Sequence, residues 1–326
     1  MDLRAAIIGL GNISGAHIQG WKSAEGVQPV AGADVNEQTV ERAGTEHDLE
    51  GYTDWREMLD DQKPDLVSIC TPPFLHREMA VECLGRGVHV MCEKPMAGTV
   101  EDAEVMALAA ADASALLMIA YCHRFHGPAM KMKEVLDTGV LGTPLFFRGT
   151  FPGGKDMSSN HRGVLAQAGG GALMDNGSHA LDLYQYLMGP IANVSCRAGT
   201  RVQSIETDDV AVVLFEGANG CYGEVLVGYA LPPGFGEWRF AGSEGIVQLD
   251  DYMSGPVRSW SRETDQWTEY ECDNSQSRFE RQFAHFIECI REGKQPRSNA
   301  ETALHTQRVV GAAYEDARLK GVPVEV

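Results

Sequence analysis

The chain has 326 residues, of which 44% are hydrophobic and 22% charged, enough apolar content for two ordinary globular domains. Asp and Glu number 46 against 27 Lys and Arg, a formal net charge of −19 that repels nucleic-acid backbones and anionic membranes. The eight cysteines form no C-x-x-C pair and no stretch is apolar for long enough to span a bilayer, which argues against zinc knuckles, redox dithiols and membrane insertion. The opening MDLRAAIIGLGN enters a strand at once without a signal-peptide layout, so reduced thiols in a cytoplasmic protein are expected.

The first strand is expected over Ala5–Gly9 and the first helix over Ile13–Ser23. Between them, "IIGLGNISGAH" sets Gly9 and Gly11 at a strand-to-helix turn, with Ser14 where a full G-x-G-x-x-G would have glycine. Gly9 permits the tight turn, and Gly11 lets the backbone approach a pyrophosphate held by the free N–H groups of the helix start. Asn12 and Ile13 belong to the same turn, and Ser14 could itself hydrogen-bond phosphate. The next strand, Val30–Ala33, delivers Asp34, placed to accept from an adenine-ribose diol and to repel a 2′-phosphate. NAD is therefore expected in preference to NADP, with Asn36 beside the same site.

Helices over Glu37–His47 and Trp55–Asp60 follow, then a strand over Asp65–Cys70 that exits into "CTPPFLH". Thr71, Pro72 and Pro73 make a rigid exit able to wall a cofactor, and His76 either caps the next helix or contacts that cofactor. A helix over Leu75–Arg86 leads to the apolar strand Val88–Cys92, which ends abruptly in Glu93-Lys94-Pro95. Charged residues there would meet a ligand, because parallel sheets bind beyond the carboxyl ends of their strands. A helix over Val100–Ala113 and a strand over Leu116–Tyr121 complete an alternation typical of a doubly covered parallel sheet.

Beyond Tyr121 the rhythm changes. A helix over Gly127–Asp137 and a strand over Leu145–Phe151 precede a loop, Pro152–Asn160, and the triple glycine Gly169–Gly171. A helix from Ala172 to Leu187 carries Asp175 and His179 four apart, hence on one face, with Asp182 a further turn along. A carboxylate beside an imidazole orients a general base and stabilises its cation. The glycines would admit a neighbouring backbone or a cofactor ring. His123 and His126, taken with Asp175 and His179, offer a rival metal ligand set, but the zincin spacing is absent and no metal is expected. Strands over Val194–Val202, Asp209–Glu216, Cys221–Tyr229, Glu237–Ala241, Gly245–Leu249 and Gln266–Tyr270 run without intervening helices, so an antiparallel sheet is expected. Helices over Ser277–Glu292 and Ala300–Lys320 close the chain. The domain boundary is placed between residues 122 and 123, with 123–326 a separate α+β domain.

Together, "GLGNISGAH", "TPPFLH", "EKP", "HRF", "GGGALMDNGSHALDL", "WRFAGSEGIVQLD" and "RVVGAAYEDARLKGVPVEV" resemble the Gfo/Idh/MocA oxidoreductases over nearly the whole chain. The resemblance implies an N-terminal Rossmann dinucleotide-binding domain and a C-terminal α+β domain with an open, mostly antiparallel sheet. It implies that Lys94 holds the reacting hydroxyl near the nicotinamide, that Glu93 borders the cofactor, that His179 is the catalytic base and that Asp175 is its acidic partner. Substrate contacts would come from Lys94, Arg124, Asn160, His161, Arg162, Asn176 and His179, with Lys155 a further candidate on the variable loop. The activity implied is oxidation of a secondary hydroxyl of a sugar, polyol or related cyclic substrate, by a homodimer or homotetramer. A glycoside hydrolase using transient oxidation, or a dinucleotide-binding sugar-responsive regulator, is the alternative.

Overall fold

The structure, a computed structural model, describes residues 2–232, 236–250 and 255–319. The chain divides into two compact units: Met1–Cys122 with Ser277–Leu304, and His123–Gln276 with His305–Val326.

The first unit is a six-stranded, all-parallel sheet of β1 (Leu3–Ile8), β2 (Val27–Ala33), β3 (Glu50–Tyr52), β4 (Leu66–Ile69), β5 (His89–Cys92) and β6 (Leu117–Ile119), in the order β3-β2-β1-β4-β5-β6. Strands buried on both faces read as unbroken apolar runs, and all four residues of β4 are buried. The connecting helices are α1 (Ser14–Ser23), α2 (Glu37–His47), α3 (Trp55–Gln62), α4 (His76–Gly85) and α5 (Val100–Asp112). Asn36, Asp54 and Thr99 cap α2, α3 and α5 by accepting from the N–H groups of Thr39, Arg56 and Asp102. The strand order reverses between β1 and β4, so a ligand crevice is expected beyond their carboxyl ends, at Gly9 and Thr71.

One segment groups differently from expectation. Helix α9 (Arg278–Glu292), together with residues up to Leu304, belongs to the first unit rather than to the second domain. Its apolar face explains this: the Phe283 ring packs edge-on against Trp21 of α1 at 4.3 Å, and a Cβ on Gly20 would sit 2.5 Å from that ring. No local pattern announces a pairing across so much sequence.

The second unit holds eight strands in the order β14-β13-β12-β11-β7-β10-β9-β8: β7 (Pro144–Pro152), β8 (Ile191–Gly199), β9 (Val210–Gly217), β10 (Tyr222–Gly228), β11 (Trp238–Gly242), β12 (Gly245–Leu249), β13 (Val257–Ser261) and β14 (Gln266–Tyr270). Every neighbouring pair is antiparallel except β7 with β10. Phe147 of β7 centres the core, between Phe240 at 4.6 Å, Trp238 at 5.2 Å and Tyr184 at 5.2 Å. The helices here are α6 (Gly127–Asp137), a one-turn α7 (Leu165–Ala168) and α8 (Ser178–Met188). Helix α10 (Ala300–Arg318) closes the described chain, its first turn in the first unit and the remainder in the second.

Strands β3 and β13 were not anticipated, and β8 stops at Gly199, short of Val202. The helix expected from Ala172 is instead a π-helical turn over Leu173–Gly177 that leads into α8. Lys320, the expected end of the last helix, lies outside the described residues.

Candidate active site

The nucleotide end is built from backbone. Gly9 has φ +91°, and a Cβ there would lie 2.9 Å from the Cys70 carbonyl group, so only glycine fits between β1 and β4. A Cβ on Gly11 would meet nothing within 4 Å, which leaves the outer side of the turn open. No side chain caps α1 at Ile13, so the first turn can face an anion. Ser14 does not extend that site: its hydroxyl is buried and donates to the Gly11 carbonyl at 2.6 Å. Asp34 sits just past β2, with the Leu10 N–H donating to one carboxylate oxygen at 2.9 Å and the Asn36 N–H to the other at 3.0 Å. Each oxygen keeps lone-pair capacity for a hydroxyl. An open glycine turn, an uncapped helix start and a fixed carboxylate at the next strand end fit a dinucleotide carrying an unphosphorylated ribose.

At the carboxyl end of β5, Glu93 is part-buried and Lys94 follows it into a cis Lys94–Pro95 peptide. Glu93 Oε1 lies 2.9 Å from His17 Nε2, and its Oε2 accepts from the Lys94 N–H at 3.2 Å. Burial pushes the Glu93 carboxyl up, but the His17 hydrogen bond and the Lys94 charge outweigh it, holding Glu93 below the usual carboxylate range. Asn12 is exposed and Ile13, Thr71 and Pro72 are half-buried around the same strand ends.

His76 serves neither alternative read from the sequence. It begins α4 with no side-chain cap and has no exposed surface. Its Nε2 meets the Thr71 carbonyl at 2.8 Å, and its Nδ1 lies 3.1 Å and 3.3 Å from the carbonyls of Pro95 and Met96. It therefore ties the β4 exit to the β5 exit. Asn36 likewise has a structural task, capping α2 while its N–H holds Asp34.

In the second unit, the Asp175 carboxylate forms an ion pair with Arg162, Nε to Oδ2 at 3.1 Å, and accepts from the Tyr229 hydroxyl at 3.4 Å. Burial, reinforced by the Asp175 charge, pushes the Tyr229 phenol well up, so it remains a donor. The buried His179 ring packs edge-on to His123 at 4.4 Å and stacks with Phe151 at 6.2 Å. Arg162 follows a turn capped by Asn160, whose side chain accepts from the Arg162 N–H at 3.1 Å, and His161 is half-buried in that turn. Lys155 is exposed. The half-buried Asn176 approaches so closely that a Cβ on Gly153 would lie 2.9 Å from its amide nitrogen.

Arg124, expected to touch substrate, is instead 3% exposed and bidentate to Asp182, with Nε to Oδ2 at 2.8 Å and Nη2 to Oδ1 at 2.6 Å. Thr306 also donates to Asp182, at 3.2 Å. Such a buried fork-to-fork pair gives Arg124 a structural task. Two of the three glycines are explained by close protein neighbours: a Cβ on Gly171 would lie 1.9 Å from the Asp208 carbonyl oxygen, and one on Gly170 2.3 Å from the Tyr314 hydroxyl. Asp208 then accepts from the N–H groups of Gly171 and Leu173, both at 2.8 Å, and from Tyr314 at 2.6 Å.

Sequence reasoning missed His17, Tyr229, Asp208 and Tyr314. Adjacent acidic residues such as Asp208-Asp209 in a strand-rich region carried a signal, since unpaired carboxylates are rarely buried. His17 carried another, being a polar residue on the face of α1 that also presents Gly20 and Trp21 to the core.

A model for an oxidoreductase family with an NAD-binding Rossmann fold matches residues 3–121, and a GFO/IDH/MocA C-terminal domain model matches residues 129–248. The chain is 27% identical to a D-apiose dehydrogenase of Rhizobium rhizogenes, over 97% of this chain and 95% of that protein. It is 24% identical to a myo-inositol 2-dehydrogenase of Thermotoga maritima, over 92% of this chain and 91% of that protein. Among solved structures, an aldose–aldose oxidoreductase from Caulobacter crescentus complexed with glycerol superposes with a TM-score of 0.88 at 26% identity, covering 100% of both chains.

Proposed function

The chain belongs to the Gfo/Idh/MocA oxidoreductases, and from that premise we propose that it is an NAD-dependent dehydrogenase oxidising a secondary hydroxyl of a sugar, polyol or related cyclic substrate. The observation that carries the reading is the Asp34 carboxylate, fixed by two backbone N–H groups beside an open glycine turn, with Glu93 and Lys94 at the same end of the sheet. The names of relatives acting on apiose and inositol support the substrate class.

The Gly9–Gly11 turn, the α1 start and Asp34 would hold NAD, and Thr71 and Glu93 border it. Bound there, NAD would supply the acceptor for the carbon-bound hydrogen, which leaves as hydride. Lys94 holds the substrate hydroxyl, and its charge favours the developing alkoxide. His179 takes the hydroxyl proton on a ring nitrogen. Asp175, anchored by Arg162 and Tyr229, supplies the carboxylate that orients and stabilises its imidazolium. Reduction of the ketone retraces these steps.

The eight cysteines, all without disulfide partners and seven of them buried, support a reducing, cytoplasmic setting. Among the described residues no helix is long and apolar enough to cross a membrane. We assign self-association, as a homodimer or homotetramer, to the outer face of the eight-stranded sheet.

The test is NADH formation over a panel of sugars and polyols. We expect turnover with NAD on part of the panel, a weaker response with NADP, and a loss of about 100- to 1,000-fold in kcat for Lys94→Ala. A purified protein that takes up no dinucleotide, or a Lys94→Ala variant that turns over normally, overturns the reading.

A further inference from the structure

Four side chains of the first unit form a continuous buried chain that ends at Glu93. Trp21 Nε1 donates to Ser68 Oγ at 2.8 Å, Ser68 Oγ lies 2.8 Å from His17 Nδ1, and His17 Nε2 lies 2.9 Å from Glu93 Oε1. Trp21, Ser68 and His17 have no exposed surface. An ionised carboxylate can only accept, so His17 presents Nε2–H to Glu93, and the Trp21 indole N–H donates to Ser68 Oγ. With the His17 ring neutral, Nδ1 is the acceptor and Ser68 donates to it. The scaffold around the chain is rigid. Ser68 lies on β4 between β1 and β5, while Phe283 packs edge-on to both His17, at 5.1 Å, and Trp21, at 4.3 Å.

We infer that His17, held by Ser68 and Trp21, is a positioning residue that fixes the Glu93 carboxylate and, through the Lys94 N–H bonded to it, the direction in which Lys94 is presented. The role rests on the proposed assignment of Glu93 and Lys94 to the nicotinamide end. A polar chain of this length inside an apolar sheet is costly unless every member is satisfied. An apolar side chain at position 17 would fill the same space without supplying the side-chain donor that Glu93 receives. The charged and titratable groups facing Glu93 are His17 from α1, His76 from α4, Cys70 beyond β4, Cys122 beyond β6, and its neighbours Cys92 and Lys94. Of these, His17 alone donates a side-chain hydrogen bond to it among the described residues.

The test compares His17→Leu, His17→Gln and Ser68→Ala with the wild type, each checked for folding by thermal melting. Two readings are taken. The first follows the Glu93 carboxyl through acid titration by carbon-13 NMR of glutamate-labelled protein, assigned with Glu93→Gln. The second separates kcat from KM on the sugar or polyol that the wild type oxidises. In His17→Leu the Glu93 titration moves to higher pH and kcat falls about 10- to 100-fold, with a smaller change in substrate KM. His17→Gln, which keeps a donor, recovers most of both, and Ser68→Ala falls between. A folded His17→Leu with an unmoved Glu93 titration, or with the wild-type kcat, overturns the inference. If the wild type oxidises no sugar or polyol, the functional reading fails while the titration still decides whether His17 governs Glu93.

Discussion

At the scale of single residues, two carboxylates carry most of what can be tested. Asp34 is already fixed by backbone N–H groups, so its discrimination requires no rearrangement on binding. Hydrogen bonds from a ribose diol to a charged acceptor contribute about 1.5–3 kcal/mol. Asp34→Ser should therefore raise KM for NAD by roughly 10- to 100-fold and narrow the gap to NADP, measured by initial rates with both cofactors. Unchanged cofactor kinetics would remove Asp34 from the site. Glu93 gives the pH dependence. Its folded pKa lies below its unfolded value, so its ionised form adds stability above the ordinary carboxylate range, and that contribution is lost as pH falls through the folded value. Urea unfolding should show wild type and Glu93→Gln diverging at neutral pH and converging in acid. Identical pH curves for the two proteins would refute the linkage.

At the scale of elements, what was legible in the sequence was what local chemistry decides. Asp34, Glu93 and Lys94 stood out because charge at the end of an apolar strand has few uses other than a ligand. Asp175 and His179 stood out by helical spacing, although the turn that carries Asp175 is π-helical. The rest depended on partners distant in sequence. "HRF" gave no hint that Asp182 consumes Arg124, and β3, three residues at the sheet edge, is too short for a periodic signal. "GGG" promised close approach without saying of what. The approaching groups are Asp208 and Tyr314, which together hold the start of the π-turn: Tyr314 Oη accepts from the N–H groups of Gly171 at 3.0 Å and Met174 at 3.2 Å while donating to Asp208. Tyr314→Phe takes this acceptor from the Met174 N–H and one donor from Asp208 in a buried place, while the Gly171 N–H keeps Asp208. It should cost about 1–3 kcal/mol in thermal unfolding, and it should lower kcat more than it raises KM because Asp175 rides on that turn. A loss of stability with kinetics intact would separate the lock from the chemistry.

At the scale of the molecule, the proposed self-association rests on the outer face of the eight-stranded sheet. Along β9, Ala211, Val213 and Phe215 point into the core while Val212 and Leu214 point out, the alternation of a strand with one face buried. The outward set is apolar where water would favour polar groups: Leu214 is 52% exposed, Tyr222 63%, and Phe146 and Val212 39% each. Register brings them together, since Phe146 pairs with Tyr222, Glu224 with Leu214, and Leu226 with Val212. Arg148 and Glu224 form an ion pair within the stripe, and such a pair exposed to solvent contributes little by itself. Exposed apolar patches of this kind are characteristic of interaction sites, and the occupant we propose is a second copy of the same sheet. Burying one such side chain contributes about 1.5–3 kcal/mol, and a two-fold interface counts each substitution twice. Leu214→Glu sets a like charge beside Glu224 in both copies, so sedimentation equilibrium should show a dissociation constant at least about 100-fold weaker, with the monomer still folded by circular dichroism. An unaltered oligomer would move the interface off this face, and a wild type that sediments as a monomer would leave the stripe to some other partner.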